Sequence, residues 1–394
     1  MTALIASLLL GAAEPPTFAA TGTGTDRAEG QLVRLAADGS AEFVMPSGPI
    51  PVQQLVSLQR VGLPRPAFPR GPVLLTTTGD RIAGKLLRAD GRALHFSADA
   101  LPGDWPVPLS SVGVVWLSRP PAETPTDPAR YPWLADIKRG DLLLLRNGDV
   151  ARGTLLGFDK DVRMKPETGA DRTFATSEPA AIAFDPSLAR TKKPQGAYAH
   201  LVLTDGTRLD VVGATCDKDM IRGKTVFGLT IEIPLEKLAS LDVMNGKATY
   251  LSDLKPARVE QGGFLGVAWP VVPDRTVRGE PLRLQTADGE ETFDKGLGTH
   301  PKTTVSYSLG GKYRRFEAAV GIDAASGRSG SAVVRVLVDG KDATSEPLRK
   351  PLDGKAIPVR IDVSGAKELT LQIDFGAAGD VRADVDWGNA RVVE

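Results

Sequence analysis

The chain reads as an all-β protein, with a C-terminal jelly-roll-like antiparallel sandwich preceded by several small barrel-like β units. Three observations predict this. Forty-two Gly and 30 Pro residues break the 394-residue sequence into short apolar runs ended by turn pairs, a strand-and-turn texture rather than a helical one. Three segments follow one pattern of alternating strand, Gly turn and second strand: VLLTTTGDRIAGKLL (73–87), LLLLRNGDVARGTLL (142–156) and HLVLTDGTRLDVVGA (200–214). Beyond Asn245 the runs TTVSYSL (303–309), SAVVRVLVDG (331–340) and ELTLQIDFG (368–376) continue the strands. In the last of them Leu369, Leu371, Ile373 and Phe375 alternate with polar residues, so one face is buried and one is wet.

The units follow in order. The turn pairs Thr78-Gly79, Asn147-Gly148 and Asp205-Gly206 supply residues that tolerate positive φ, and each predicts a hairpin. A second piece recurs at the end of each unit as a Pro followed by apolar residues: PVQQLVSL (51–58), PLSSVGVVWL (108–117), PAAIAF (179–184) and PLEKLASL (234–241). The stretch GQLVRLAADGSAEFVM followed by the first Pro piece counts as a degenerate copy. Four related units therefore fill residues 25–245, two in 25–117 and two in 139–245. A Pro-rich linker over 118–138 separates the pairs. The repeat pattern resembles small SH3-like or Sm-like β barrels.

At the N-terminus, MTALIASLLLGAAEPP carries an apolar run from Ala3 to Leu10 and then small residues, the layout of an export leader. Residues 1–24 are accordingly expected to be a signal peptide and tail, and the protein to be secreted, periplasmic or at the cell surface. The run is too short to span a bilayer, which takes about 20 apolar residues. Lys plus Arg and Asp plus Glu both total 48, so no global field steers the chain to nucleic acid. The single cysteine, Cys216, excludes an intrachain disulfide and a cysteine-rich metal cluster.

The C-terminal block resembles the NPCBM carbohydrate-binding module family, whose members are galactose-binding-like β-sandwiches. Six pieces carry the resemblance in order: YLSDLKP (250–256), FDKGLGTHPKTTVSYSL (293–309), KYRRFEAAVGID (312–323), VRVLVDGK (334–341), DVSGAKELTLQIDFG (362–376) and DWGNARV (386–392). The resemblance covers residues 246–394. It implies carbohydrate or a glycan polymer as partner, with other envelope proteins as the alternative. The family commonly places His three residues before the closing Trp, where this chain has Asp384.

Five residues are candidates for ligand contact: Trp269, His300, Asp323, Asp384 and Asp386. Trp269 lies in the loop GVAWPVVPD, and an aromatic face suits the apolar face of a pyranose. His300 follows Gly296 and Gly298 at a strand entrance, where its two ring nitrogens are expected to bridge backbone groups of neighbouring loops. Its first expected role is structural, and a sugar contact is the second. Asp323, Asp384 and Asp386 are expected at one edge of the sandwich, as turn residues or, alternatively, as Ca²⁺ ligands. No other cofactor is implied. Trp387 and Trp116 read as core residues.

No catalytic constellation is visible. GTGTD (22–26) lacks the strand-to-helix setting of a dinucleotide loop, and neither a phosphate loop nor a Gly-x-Ser-x-Gly elbow occurs. Glycoside hydrolysis needs two acids held about 5 to 10 Å apart, which sequence spacing does not establish. The expected function is non-catalytic carbohydrate binding, the N-terminal units serving as spacer or interaction modules. The alternatives are a structural envelope protein, or a glycan-active enzyme whose catalysis resides in the N-terminal region.

Overall fold

The computed structural model describes residues 15–24, 27–36, 40–45, 48–52, 54–119, 139–263, 266–327, 330–348, 350, 352, 355–377 and 379–394. The leader residues 1–14 and most of the expected linker, 120–138, lie outside them. Among the described residues there is no α-helix, and only short 3-10 turns interrupt the strands.

Four five-stranded units occupy the N-terminal region. Unit I comprises Thr17–Gly22, Arg27–Leu35, Ala41–Met45, Gly48–Val52 and Leu55–Arg60, and unit II Val73–Thr76, Arg81–Ala89, Ala93–Ala98, Trp105–Pro108 and Val112–Trp116. Unit III comprises Asp141–Leu145, Val150–Phe158, Asp161–Pro166, Arg172–Ala175 and Pro179–Ala183, and unit IV Tyr198–Leu203, Arg208–Asp217, Met220–Thr225, Thr230–Pro234 and Leu238–Met244. In every unit the four strands pair consecutively and the fifth returns to the first. Each second strand carries a register shift against the third, a bulge that bends and twists the strand so the sheet can curl. The three hairpins read from the Gly turns are present.

The first strand corrects one boundary. Thr17–Gly22 pairs with both Arg27–Leu35 and Leu55–Arg60, and Phe18 and Ala20 are wholly buried. Unit I thus includes residues the sequence assigned to a leader and tail. TFAATG is rich in Ala and Gly, which favour strands only weakly, so its pattern carries little strand signal.

The fifth strands join the units. Leu58 of unit I is opposite Leu241 of unit IV, and Val115 of unit II opposite Ile182 of unit III. This explains the apolar character of the Pro-headed pieces: their strands are covered on both faces and paired on both edges. Trp116 is 1% exposed, in a cluster with Leu142 and Ala181 of the neighbouring unit.

The C-terminal module is an antiparallel β-sandwich. One sheet orders Val272–Pro273, Gly296–Thr299, Val385–Val393, Arg315–Ile322 and Ile357–Asp362, with Ala248–Tyr250 also paired to Val385–Val393. The other orders Arg258–Gln261, Thr303–Ser308, Glu368–Phe375, Ala332–Val338 and Lys341–Asp342. Val305, Tyr307, Leu369 and Leu371 meet Phe316, Trp387 and Val392 in the core between them. Trp387 is fully buried, on a strand whose two faces are both covered.

Charged side chains cross the boundary between units and sandwich. Arg391 reaches Asp242 of unit IV, Ser57 of unit I and Glu317 of its own sheet. Arg315 donates to the carbonyl oxygens of Gly22 and Gly24 at 2.8 and 2.7 Å. Arg208 of unit IV meets Asp294 of the sandwich at 3.2 Å.

Candidate functional site

The site is assembled where Gly296–Thr299 lies beside Val385–Val393. Gly298 is opposite Asp386 and Thr299 opposite Val385, and Thr299 Oγ1 donates to the Val385 carbonyl at 2.9 Å. The chain leaves the sheet at His300, beside the segment that leads into the partner strand. His300 Nε2 lies 3.3 Å from Asp380 Oδ1 and 3.7 Å from Asp384 Oδ1, and the residue is 4% exposed.

This differs from the expected bridge to backbone groups. The strand pairing already occupies the nearby backbone donors and acceptors, so the imidazole meets side-chain carboxylates instead. Its Nδ1 has no hydrogen-bond partner among the described residues. The two carboxylates beside its Nε2, invisible in the local sequence, come from residues 80 and 84 positions further on.

Trp269 packs on this histidine, with ring centroids 5.5 Å apart and planes inclined by 32°. The tryptophan is half-buried. The guanidinium of Arg278 lies 5.3 Å from the Trp269 ring centroid, and its Nε donates to Asp384 Oδ2 at 2.8 Å. Asp384 is 1% exposed and so ties the surface-exposed Arg278 to the floor beneath. Burying that carboxylate is tolerable because the guanidinium supplies a charged hydrogen bond.

The remaining two candidates lie deeper. The Asp323 N–H donates to the Asp384 carbonyl at 3.0 Å, while its Oδ1 caps the turn Ala324–Ser326 by accepting from Ala325 N. Burial pushes the Asp323 carboxyl up to about 6. Asp386 is fully buried, and its Oδ2 accepts from Arg283 N at 3.3 Å. Burial, and then the neighbouring Asp323 charge, raise its carboxyl well above the ordinary range.

All five sequence candidates therefore fall in one connected group, in three tiers. Trp269 reaches the surface, His300 and Asp384 form a buried floor, and Asp323 and Asp386 stand behind it. Arg278 and Asp380 complete the surface tier and were missed. Each is a single charged residue in a loop, and nothing in its sequence surroundings distinguishes it. No group of three or more His, Cys, Asp or Glu among the described residues is disposed to hold a metal ion. The burial of Asp323 and Asp386 also keeps them from flanking a glycosidic bond as an acid pair.

The other two histidines are engaged elsewhere. His95 Nδ1 lies 2.9 Å from Asp104 on unit II. His200 Nδ1 lies 2.6 Å from Asp210, at the unit IV boundary with the sandwich.

Comparison with known proteins matches residues 247–393 to the NPCBM/NEW2 domain family model. Over 147 residues, 37% of the chain, the sequence is 31% identical to a Renibacterium salmoninarum protein named "Putative endo-alpha-N-acetylgalactosaminidase". The match spans 9% of that relative's length. Among solved structures, a CBM51 module from Clostridium perfringens GH95 in complex with methyl-galactose is 24% identical. That match covers 37% of this chain and 99% of the other, with a TM-score of 0.34. A structure of CBM51-2 in complex with GlcNAc and INT domains from Clostridium perfringens ZmpB is 28% identical, covering 44% of this chain and 36% of the other, with a TM-score of 0.34.

Proposed function

With residues 247–393 an NPCBM/NEW2 domain, we propose that this module binds the terminal sugar of a glycan at the surface tier formed by Trp269, Arg278 and Asp380, without catalysis. One observation carries the reading: a half-buried tryptophan stands beside an exposed guanidinium, and both are braced from below by buried polar groups. An aromatic surface accepts the C–H face of a pyranose, and a neighbouring charged donor and acceptor fix its hydroxyls. Asp384 and His300 hold Arg278 and Trp269 in place, so the surface is organised before ligand arrives and little ordering entropy is lost on binding. The family match and the name of the Renibacterium relative both support a glycan ligand.

The four units serve as the mount. The buried ionic contacts of unit IV with the sandwich hold it at one orientation, which suits presentation of the sugar surface to a polymer. Export to the periplasm or cell surface, where such polymers lie, belongs to the same proposal and rests on the apolar run Ala3–Leu10.

The test is glycan-array screening of the full chain, followed by titration calorimetry. Trp269→Ala is expected to abolish binding of the sugars the wild type retains, with its melting temperature nearly unchanged because the side chain is half-exposed. Wild-type binding that survives this substitution would place the site elsewhere. Glycosidase activity in the full chain against a bound glycan would overturn the non-catalytic part of the reading.

A further inference from the structure

The second sheet of the sandwich bears an open furrow of about 370 Å³ on its outer face. Strand register explains its lining. Glu260 is opposite Thr304, Thr304 opposite Gln372, and Gln372 opposite Arg335. Four polar side chains thus stand in one row across four adjacent strands. Strands lie about 4.8 Å apart, so the row extends about 14 Å. The intervening residues Val305, Leu371, Val334 and Val336 point the other way into the core. At one border Lys302 Nζ lies 2.8 Å from Asp374 Oδ1.

Three residues of the furrow lie close in sequence to the candidate sugar site. Gly262, on its wall, precedes Trp269 by seven residues. Lys302 follows His300 by two, placing their Cα atoms within about 7 Å. Asp374 precedes Asp380 by six.

We infer that this furrow is an extension subsite that receives the neutral oligosaccharide chain behind the terminal sugar. The inference rests on the sugar-binding reading of the Trp269 surface and adds the class of ligand: a chain of several residues rather than a single sugar. Charge argues for neutrality, since Glu260 and Asp374 balance Lys302 and Arg335 and leave no net attraction for a polyanion. Chemistry argues for hydroxyls. A carboxylate, a hydroxyl, an amide and a guanidinium in one row offer both acceptors and donors at strand spacing, which matches groups that donate and accept at once. The row is longer than one sugar ring, so it is filled only by a chain.

Calorimetry on the full chain tests this with galactose, N-acetylgalactosamine and N-acetylglucosamine, each alone and as the end residue of a neutral tetrasaccharide. The preferred tetrasaccharide is expected to bind about tenfold tighter than its terminal sugar, the equivalent of one or two added hydrogen bonds. In the Arg335→Ala, Gln372→Ala double variant that advantage disappears while monosaccharide affinity stays unchanged, and circular dichroism confirms the fold. Trp269→Ala removes both affinities. Equal wild-type affinity for sugar and tetrasaccharide overturns the extension and leaves the terminal site standing, as does a chain-length advantage that survives the double variant. Tighter binding of a sulfated or uronate polymer overturns the neutral class. Absence of binding to every probe overturns the sugar reading and the extension with it.

Discussion

Arg391, on the last strand of the sandwich, and Asp242, on the last strand of unit IV, meet across the domain boundary at 3.4 Å with both side chains buried. Asp242 also holds Arg65 at 2.7 Å. Burial by itself would raise its carboxyl, but Arg65 and then Arg391 hold it below the ordinary range. Removing the shared acid leaves two buried guanidinium groups short of a partner. Asp242→Ala is therefore expected to destabilise the full chain by about 3 to 5 kcal/mol, measured by chemical denaturation. A loss below about 1 kcal/mol, the size typical of an exposed pair, would show that water replaces the carboxylate without difficulty.

His200 gives the same boundary a dependence on pH. Burial opposes its charge, but the hydrogen bond to Asp210 and the charges of Asp210 and Asp294 outweigh that and raise it from 6.5 to about 10. Asp294 is 3.7 Å from Nε2, too far for a hydrogen bond, so Asp210 supplies the direct one. A raised folded value means that the charged histidine stabilises fully below about pH 6.5 and loses its contribution as pH rises towards 10. The wild type is expected to lose stability across that window, and His200→Gln to show a flatter profile over it. Parallel profiles for the two proteins would remove His200 as the cause.

Asp323 loses stability in the same direction of pH, but because the fold favours its neutral form rather than its charged one. Its folded value of about 6 stands above the ordinary carboxylate range because of burial, so the folded state holds the proton longer than the unfolded one. Its contribution to stability declines as pH rises from about 4 to about 6. Asp323→Asn keeps an oxygen to cap Ala325 and removes the buried charge. The variant is expected to be more stable than wild type by about 1 to 3 kcal/mol at pH 7, and equal to it near pH 4. Thermal melts at the two pH values decide this, and a destabilised variant at pH 7 would mean that the Asp323 charge is itself needed.

His300 fills the space between Trp269 and two carboxylates. His300→Ala is expected to lower stability by about 1 to 3 kcal/mol, because buried polar partners lose their neighbour. Sugar affinity of the folded fraction should fall much less than in Trp269→Ala. Melting and calorimetry on the same variant separate the roles: retained stability with lost binding would make the imidazole a ligand contact rather than a brace.

Much of the fold is legible in the sequence because strands and turns are written locally. Leu369, Leu371 and Ile373 alternate on one strand, and the turn pairs ending in Gly79, Gly148 and Gly206 mark three hairpins. The strand Thr17–Gly22 escaped because its alanines are buried by neighbours on both edges, a circumstance that its own composition does not record. Of the site, Trp269 and His300 stand out by residue type and by the loops that hold them. Arg278 and Asp380 do not, since a lone surface charge has the same appearance in sequence whether or not it faces a ring.

The sequence by itself determined that this protein is made of short antiparallel strands, that its C-terminal block is a sandwich of a recognisable family, and that a tryptophan and a histidine stand in its loops. Those properties depend on side-chain period and on residue order, which the chain carries along its length. Only the tertiary structure decided that His300 faces Asp380 and Asp384, that Arg278 ties Trp269 to the buried floor, and that Arg391 closes on Asp242. Such contacts join residues 80 to 150 positions apart, and their strength depends on distance and burial. Both are fixed by sheet register and by the packing of units against sandwich.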